Sequence, residues 1–256
     1  MARRTRKSRS ANRTGRRCSI EEMPFRRLLE TDTELGDARW RYAGVSSEER
    51  RKAADLTYHG GEADRFFAAV TGRDTAGGDP WRAEVTALAI DPEFAPAILT
   101  VGTLEYELGR RTEALELLGA LCTLPGDTED LPVVIDKAGT YLTDKDDLTA
   151  ALDLYLAAAE ASPEVALHHD NVGYCLGKLG RLEEAVEFAR RAVELEPQEP
   201  RWLSNLGWAL CEAGQLEDAE EFLERAVALA PPDDELPQAN LDEVRRRRSA
   251  AGGDGS

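Results

Sequence analysis

Two neighbouring histidines, His168 and His169, have the right chemistry for a metal ion but the wrong spacing. Successive residues on a helix point about 100° apart, whereas a helical metal pair needs a spacing of three or four. Cys175 stands nearly two turns further on and His59 lies in another segment, so no metal site is expected. Gly173-x-x-x-Gly177-Lys178 has the outline of a phosphate loop, but it is one residue short. Leu179 also stands where a hydroxyl is required, and the segment reads as helix instead of a strand-to-helix loop. The carboxylate pairs Glu183-Glu184 and Glu220-Glu221 fall on helical faces that read as solvated surface. Of the four cysteines, Cys18, Cys122, Cys175 and Cys211, none form a C-x-x-C pair and three lie inside helix patterns. They read as reduced core thiols. There is no G-x-S-x-G, H-E-x-x-H or G-x-G-x-x-G. The residues therefore predict neither an enzyme nor a cofactor.

What positions these residues is a repeat. Three stretches superimpose at an offset of 34 residues. Gly139, Gly173 and Gly207 fall in one column, Leu142, Leu176 and Leu210 in a second, and Leu148, Leu182 and Leu216 in a third. Ala151, Ala185 and Ala219 form a fourth, Ala158, Ala192 and Ala226 a fifth, and Pro163, Pro197 and Pro231 close each unit. A period of that length marks a stacked-repeat solenoid. Inside one unit, Leu167, Val172, Leu176 and Leu179 recur at helical spacing until Gly180-Arg181 interrupts them. Leu182, Ala185, Phe188, Ala189, Ala192 and Val193 then resume the pattern up to Glu196-Pro197. Each unit is thus an antiparallel helix pair, with Gly173 and Ala185 small enough to let its helices approach closely.

An earlier unit keeps Gly102, Gly109 and Ala114 but precedes the next by 37 residues. The extra residues are assigned to the loop Pro125–Pro132, rich in turn formers. With this one there are four units, at 95–131, 132–165, 166–199 and 200–233. Residues 20–94 form an N-terminal helical region with a degenerate repeat. Within it, one helix starts after Ser46 or Ser47 and stops at Gly60-Gly61. Another has Pro80 as its first residue and runs to about Ile90. Residues 234–248 are expected to be a capping helix whose Arg245–Arg248 suit the negative end of the helix dipole. Residues 1–19 and 249–256 read as a disordered basic tail and a flexible end.

Charge is unevenly spread. The first 17 residues carry eight cations and no acid, which leaves −25 for the remainder against a total of −17. An acidic body repels nucleic acid and favours basic or neutral partners. The tail alone could contact phosphates, although no aromatic residue is interleaved to stack on bases. No apolar run reaches the roughly 18 residues of a membrane span, and no apolar segment follows the basic start as a secretory leader requires. A cytoplasmic protein is expected. Arginine, alanine and glutamate outweigh lysine, a bias expected of a GC-rich bacterial gene.

The units resemble the tetratricopeptide repeat family. The third carries Asn171-Val172-Gly173, Leu176, Gly180, Ala185, Ala192 and Pro197; the fourth carries Asn205-Leu206-Gly207, Leu210, Gly214, Ala219, Ala226 and Pro231. The second has Asp146 where the family favours a turn glycine. The resemblance implies an all-α, right-handed superhelical solenoid of antiparallel helix pairs, whose first helices line a concave groove that holds a peptide or partner helix. In that groove it places Thr103, Tyr106, Asp136, Lys137, Thr140, Asp144, Asp170, Asn171, Tyr174, Ser204, Asn205, Trp208 and Glu212. Tyr174 and Trp208 occupy one column and could form an aromatic shelf, and Asn171 and Asn205 could hold a peptide backbone. Some family members grip a terminal carboxylate with a basic cluster. Here Asp136, Asp144, Asp170 and Glu212 face only Lys137 and Lys178, so a basic or neutral peptide is expected.

Overall fold

The computed structural model of this chain describes residues 46–71 and 82–253, with isolated positions between residues 27 and 38. The basic tail, the glycine-rich stretch beyond Thr71 and the helix start at Pro80 lie outside the described residues. Among the described residues every regular element is helical. The helices are α1 (Ser47–Thr71), α2 (Arg82–Ile90), α3 (Ala95–Glu107), α4 (Arg111–Ala120), α5 (Leu131–Asp144) and α6 (Leu148–Ala161). They continue as α7 (Ala166–Lys178), α8 (Leu182–Leu195), α9 (Pro200–Glu212), α10 (Leu216–Leu229) and α11 (Leu236–Gly253). Helices pack chiefly against their chain neighbours, as the pairs α1/α2, α3/α4, α5/α6, α7/α8 and α9/α10. α11 covers the end of the array by packing on α10 and α9.

The turns inside the last four pairs share one geometry. Gly109, Gly180 and Gly214 take φ of 76°, 75° and 78°, and Asp146 takes 62°. The next amide then closes back on the helix, from Arg110 to Glu105, Asp147 to Leu142, Arg181 to Leu176 and Gln215 to Leu210, each at 2.9 Å. This left-handed cap satisfies carbonyls that the helix end leaves without partners. Glycine adopts it freely, whereas a Cβ costs about 1 kcal/mol or more, so Asp146 keeps the turn under strain.

Helix starts follow equally local rules. Ser46 and Glu49 cap α1 reciprocally through their amides, at 3.3 and 3.4 Å. Pro96, Pro132 and Pro200 sit in the first turns of α3, α5 and α9, where a missing N–H costs nothing. Pro132 therefore belongs to a helix and not to the preceding loop.

Two other details differ from the sequence reading. α1 runs through Gly60-Gly61 instead of stopping there. A helical glycine costs about 1 kcal/mol relative to alanine, which packing along α2 outweighs. α11 continues past Arg248 to Gly253, so Arg245–Arg248 lie within the helix and not at its negative end. Their partners are side chains instead. Arg245 pairs with Glu220 and Glu224 at 2.7 and 2.6 Å, and Arg248 with Glu220 at 2.6 Å, tying α11 to α10.

The glycine column sets how closely each pair packs. A Cβ on Gly102 would lie 2.7 Å from Leu118, one on Gly207 2.5 Å from Leu223, and one on Gly139 would overlap the Tyr155 ring. Gly173 is different, because its nearest neighbours are the Ala185 carbonyl at 3.2 Å and the small Ala189. The apolar core falls into two clusters whose seam runs through the same pair. Cys175, Leu176 and Ala185 belong to the first, and Ala166, Val186 and Ala189 to the second. No described helix is long and apolar enough to cross a membrane.

Candidate functional site

The sequence-predicted groove residues fall into three groups. The first stitches neighbouring first helices together. The Asn171 amide donates to Asp136 at 2.7 Å, and the Asn205 amide to both carboxylate oxygens of Asp170 at 3.0 and 2.9 Å. Asn240 on α11 extends the series by donating to the Ser204 hydroxyl at 3.2 Å. Asp170, Asn171 and Ser204 are buried. Burial pushes the Asp170 carboxyl up to about 6, against the opposing effect of the Asn205 hydrogen bond. Both asparagine amides thus already have partners inside the protein.

The second group comes from α3 and α5. Thr103 turns its hydroxyl back to the Thr100 carbonyl at 2.9 Å, and Tyr106 donates to Asp147 at 2.8 Å. Arg111 approaches the same carboxylate at 2.6 Å and, with Tyr106, holds Asp147 below the usual carboxylate range. Tyr141, absent from the predicted set, packs edge-on against Tyr106 with ring centres 5.7 Å apart and donates to Glu107 at 2.9 Å. Lys137, Thr140 and Asp144 are exposed.

The third group surrounds a cavity of about 340 Å³. Asp170, Tyr174, Asn205, Trp208 and Glu212 line it, together with Lys178, Leu182, Ala185, Ala189 and, from α11, Leu236 and Asn240. Tyr174 is 53% exposed and Trp208 36%, and both rings border this one cavity. Lys178 stands 5.5 Å from the centre of the Tyr174 ring, and Arg247 stands 5.3 Å from that of Trp208 while pairing with Glu212 at 2.8 Å. The sequence of α11 reads only as a cap, whereas the helix also supplies a wall of this cavity. The spacing of Asn171, Asn205 and Asn240, at 34 and then 35 residues, is the signal in the sequence that points to it.

The residues that suggested other chemistry have structural roles. His168 and His169 are buried, His169 Nε2 meets the Pro163 carbonyl at 2.9 Å, and its ring stacks on Phe188. Burial pushes His168 below the usual histidine range. No cluster of metal-competent side chains occurs among the described residues. Gly173–Lys178 is the C-terminal half of α7, where the amides already donate within the helix. Cys122, Cys175 and Cys211 are free, and burial pushes the first two thiols up to about 11.

Stacked helix pairs of this kind with a terminal covering helix define an α-solenoid. Tetratricopeptide repeat profiles match residues 137–200 and 178–239. Residues 137–239 are thus tetratricopeptide repeats, and the helix pairs wind as a right-handed superhelix of that type. Similar solved structures include YrrB, described as a tetratricopeptide repeat protein with an unusual peptide-binding site. It is 20% identical, with 85% of this chain and 97% of that chain covered and a TM-score of 0.50. MamA is also 20% identical, covering 68% of this chain and 90% of its own at a TM-score of 0.47. The Sgt2 repeat domain from Aspergillus fumigatus is 20% identical over 47% of this chain and 81% of its own, with a TM-score of 0.45. At such identity the likeness concerns the fold. No curated protein matches the sequence.

Proposed function

We propose that this chain is a non-catalytic interaction scaffold that holds a neutral or basic peptide, or a partner helix, on its concave side. The observation that carries the reading is the pair Tyr174 and Trp208, two exposed rings from successive repeats over one cavity. Large rings beside a concavity are the commonest anchors of protein recognition. The fold adds support of a general kind, since stacked repeats build extended binding surfaces. The test is capture of partners by the full chain, identification by mass spectrometry, and affinity measurement with the partner found. The double variant Tyr174→Ala, Trp208→Ala should weaken binding at least about tenfold, or ~1.4 kcal/mol, with its helical circular dichroism unchanged. Unchanged affinity in the double variant would sink the reading.

The eight cations of residues 1–17 favour one secondary role, contact with nucleic-acid phosphates. Binding of DNA or RNA should then weaken steeply with salt and vanish when residues 1–17 are deleted. No binding at low salt removes this role.

A further inference from the structure

One column of the second helices faces the glycine column of the first: Leu118, Tyr155, Ala189 and Leu223. In three pairs that side chain fills the space before Gly102, Gly139 or Gly207. In the α7/α8 pair it is cut back to Ala189. One turn beyond Gly173 a second truncation occurs, with Gly177 standing where the other units carry Tyr106, Thr143 and Cys211. A Cβ added at Gly177 would meet only the Ala185 methyl, at 4.0 Å. The cavity beside Tyr174 and Trp208 includes both truncated positions in its lining. It lies at the pair through which the seam between the two core clusters runs. Atoms facing such a void lose dispersion contacts that a filled column would supply.

We infer that this void receives one bulky uncharged apolar side chain, leucine- to phenylalanine-sized, from the partner peptide, in place of the column residue that this repeat lacks. The inference rests on the groove reading above and adds what the peptide must bring. Leu118, Tyr155 and Leu223 show the size of side chain that the helix spacing accepts at this position. The truncated positions are bordered by Leu182 and Ala185, Glu212 already pairs with Arg247, and Lys178 stands over the Tyr174 ring, so the anchor itself is apolar and uncharged. Its flanks are neutral or basic, because the chain beyond the tail carries −25 and repels an acidic segment.

The test uses the full chain, labelled with ¹⁵N, and synthetic ten-residue glycine–serine peptides in which lysines flank a central Leu, Phe or Ala. The readout is the Trp208 indole N–H resonance, assigned by its loss in Trp208→Phe. Leu and Phe peptides should shift it, and the Ala peptide should bind at least about tenfold more weakly. Ala189→Leu should fill the void from within, keep or raise the melting temperature, and weaken the Leu peptide at least about tenfold. Gly177→Thr, the residue of the second repeat, should act in the same direction and serves if Ala189→Leu disturbs folding. The inference is overturned if Leu and Ala peptides bind equally, if neither moves the resonance at millimolar concentration, or if both variants keep full affinity. A captured partner that tolerates Ala189→Leu but not the double aromatic variant overturns the anchor while leaving the groove reading intact. A partner that tolerates the double variant removes both.

Discussion

In the N-terminal half of the array, the polar and aromatic side chains of α3 and α5 find their partners within the protein. Tyr106 and Tyr141 pack edge to face, their hydroxyls donate to Asp147 and Glu107, and Arg111 and Lys145 complete the two carboxylates. Behind them, Leu118 and Tyr155 fill the space before Gly102 and Gly139. In the C-terminal half, Tyr174 and Trp208 have no hydroxyl–carboxylate network of this kind, and Ala189 and Gly177 leave a void behind them. The backbone plan is common to both halves. What differs is whether a column is filled by the chain's own side chain or left for another molecule, and that choice costs only one or two residue identities.

The comparison can be broken most forcefully at the glycines. Gly139→Ala places its methyl in the Tyr155 ring and is expected to destabilise by about 3 kcal/mol in urea titration. Gly173→Ala, whose methyl meets the Ala185 carbonyl at 3.2 Å and the Ala189 amide nitrogen at 3.4 Å but overlaps no side chain, should cost less. Equal losses would mean that the two pairs are equally tight.

A second contrast is electrostatic. Asp170, raised to about 6 from an ordinary 3.8, favours its protonated form in the folded state. Its stabilising contribution is therefore complete below pH 3.8 and lost as pH rises through about 6. Asp170→Asn, which keeps a partner for Asn205, should remove that loss, a relative gain of about 2 kcal/mol between pH 4 and 6 in denaturation series. Asp147 in the other half has the opposite sign. Held low chiefly by Arg111, it stabilises at neutral pH and loses that effect as pH falls below the ordinary carboxylate range. Asp147→Asn should therefore flatten the acid limb of the same series.

The smallest effect is expected at the turn of the second repeat. Asp146→Gly relieves a left-handed residue at φ 62° and should raise stability by about 0.5–1 kcal/mol, read from the same titrations. A loss there would show that the aspartate side chain supports the turn after all.

Much of the fold was legible because it rests on local spacing. The glycine at position 180 ends one helix in the left-handed region, as Gly109 and Gly214 do, and each is recognisable within its own few residues. The site was legible only in part. Tyr174 and Trp208 could be placed by column, and both line the cavity. Asn171 and Asn205 were read as free amides, because sequence spacing shows that they share a face but not that Asp136 and Asp170 stand within hydrogen-bonding distance. Tyr141, Leu236, Asn240 and Arg247 carry no local signal of a role in the site, since each acts across a gap set by the stacking of one pair on the next.

By itself, the amino-acid order determined the 34-residue period, the helix pairs and the small residues that let them touch, because helix periodicity and turn chemistry act over a few residues. Only the tertiary structure decided that Ala189 opens a cavity where Leu118 and Leu223 close one, and that α11 supplies a wall of it. A void belongs to no single segment. It exists only where side chains from several helices, distant in the chain, fail together to fill the space that their packing encloses.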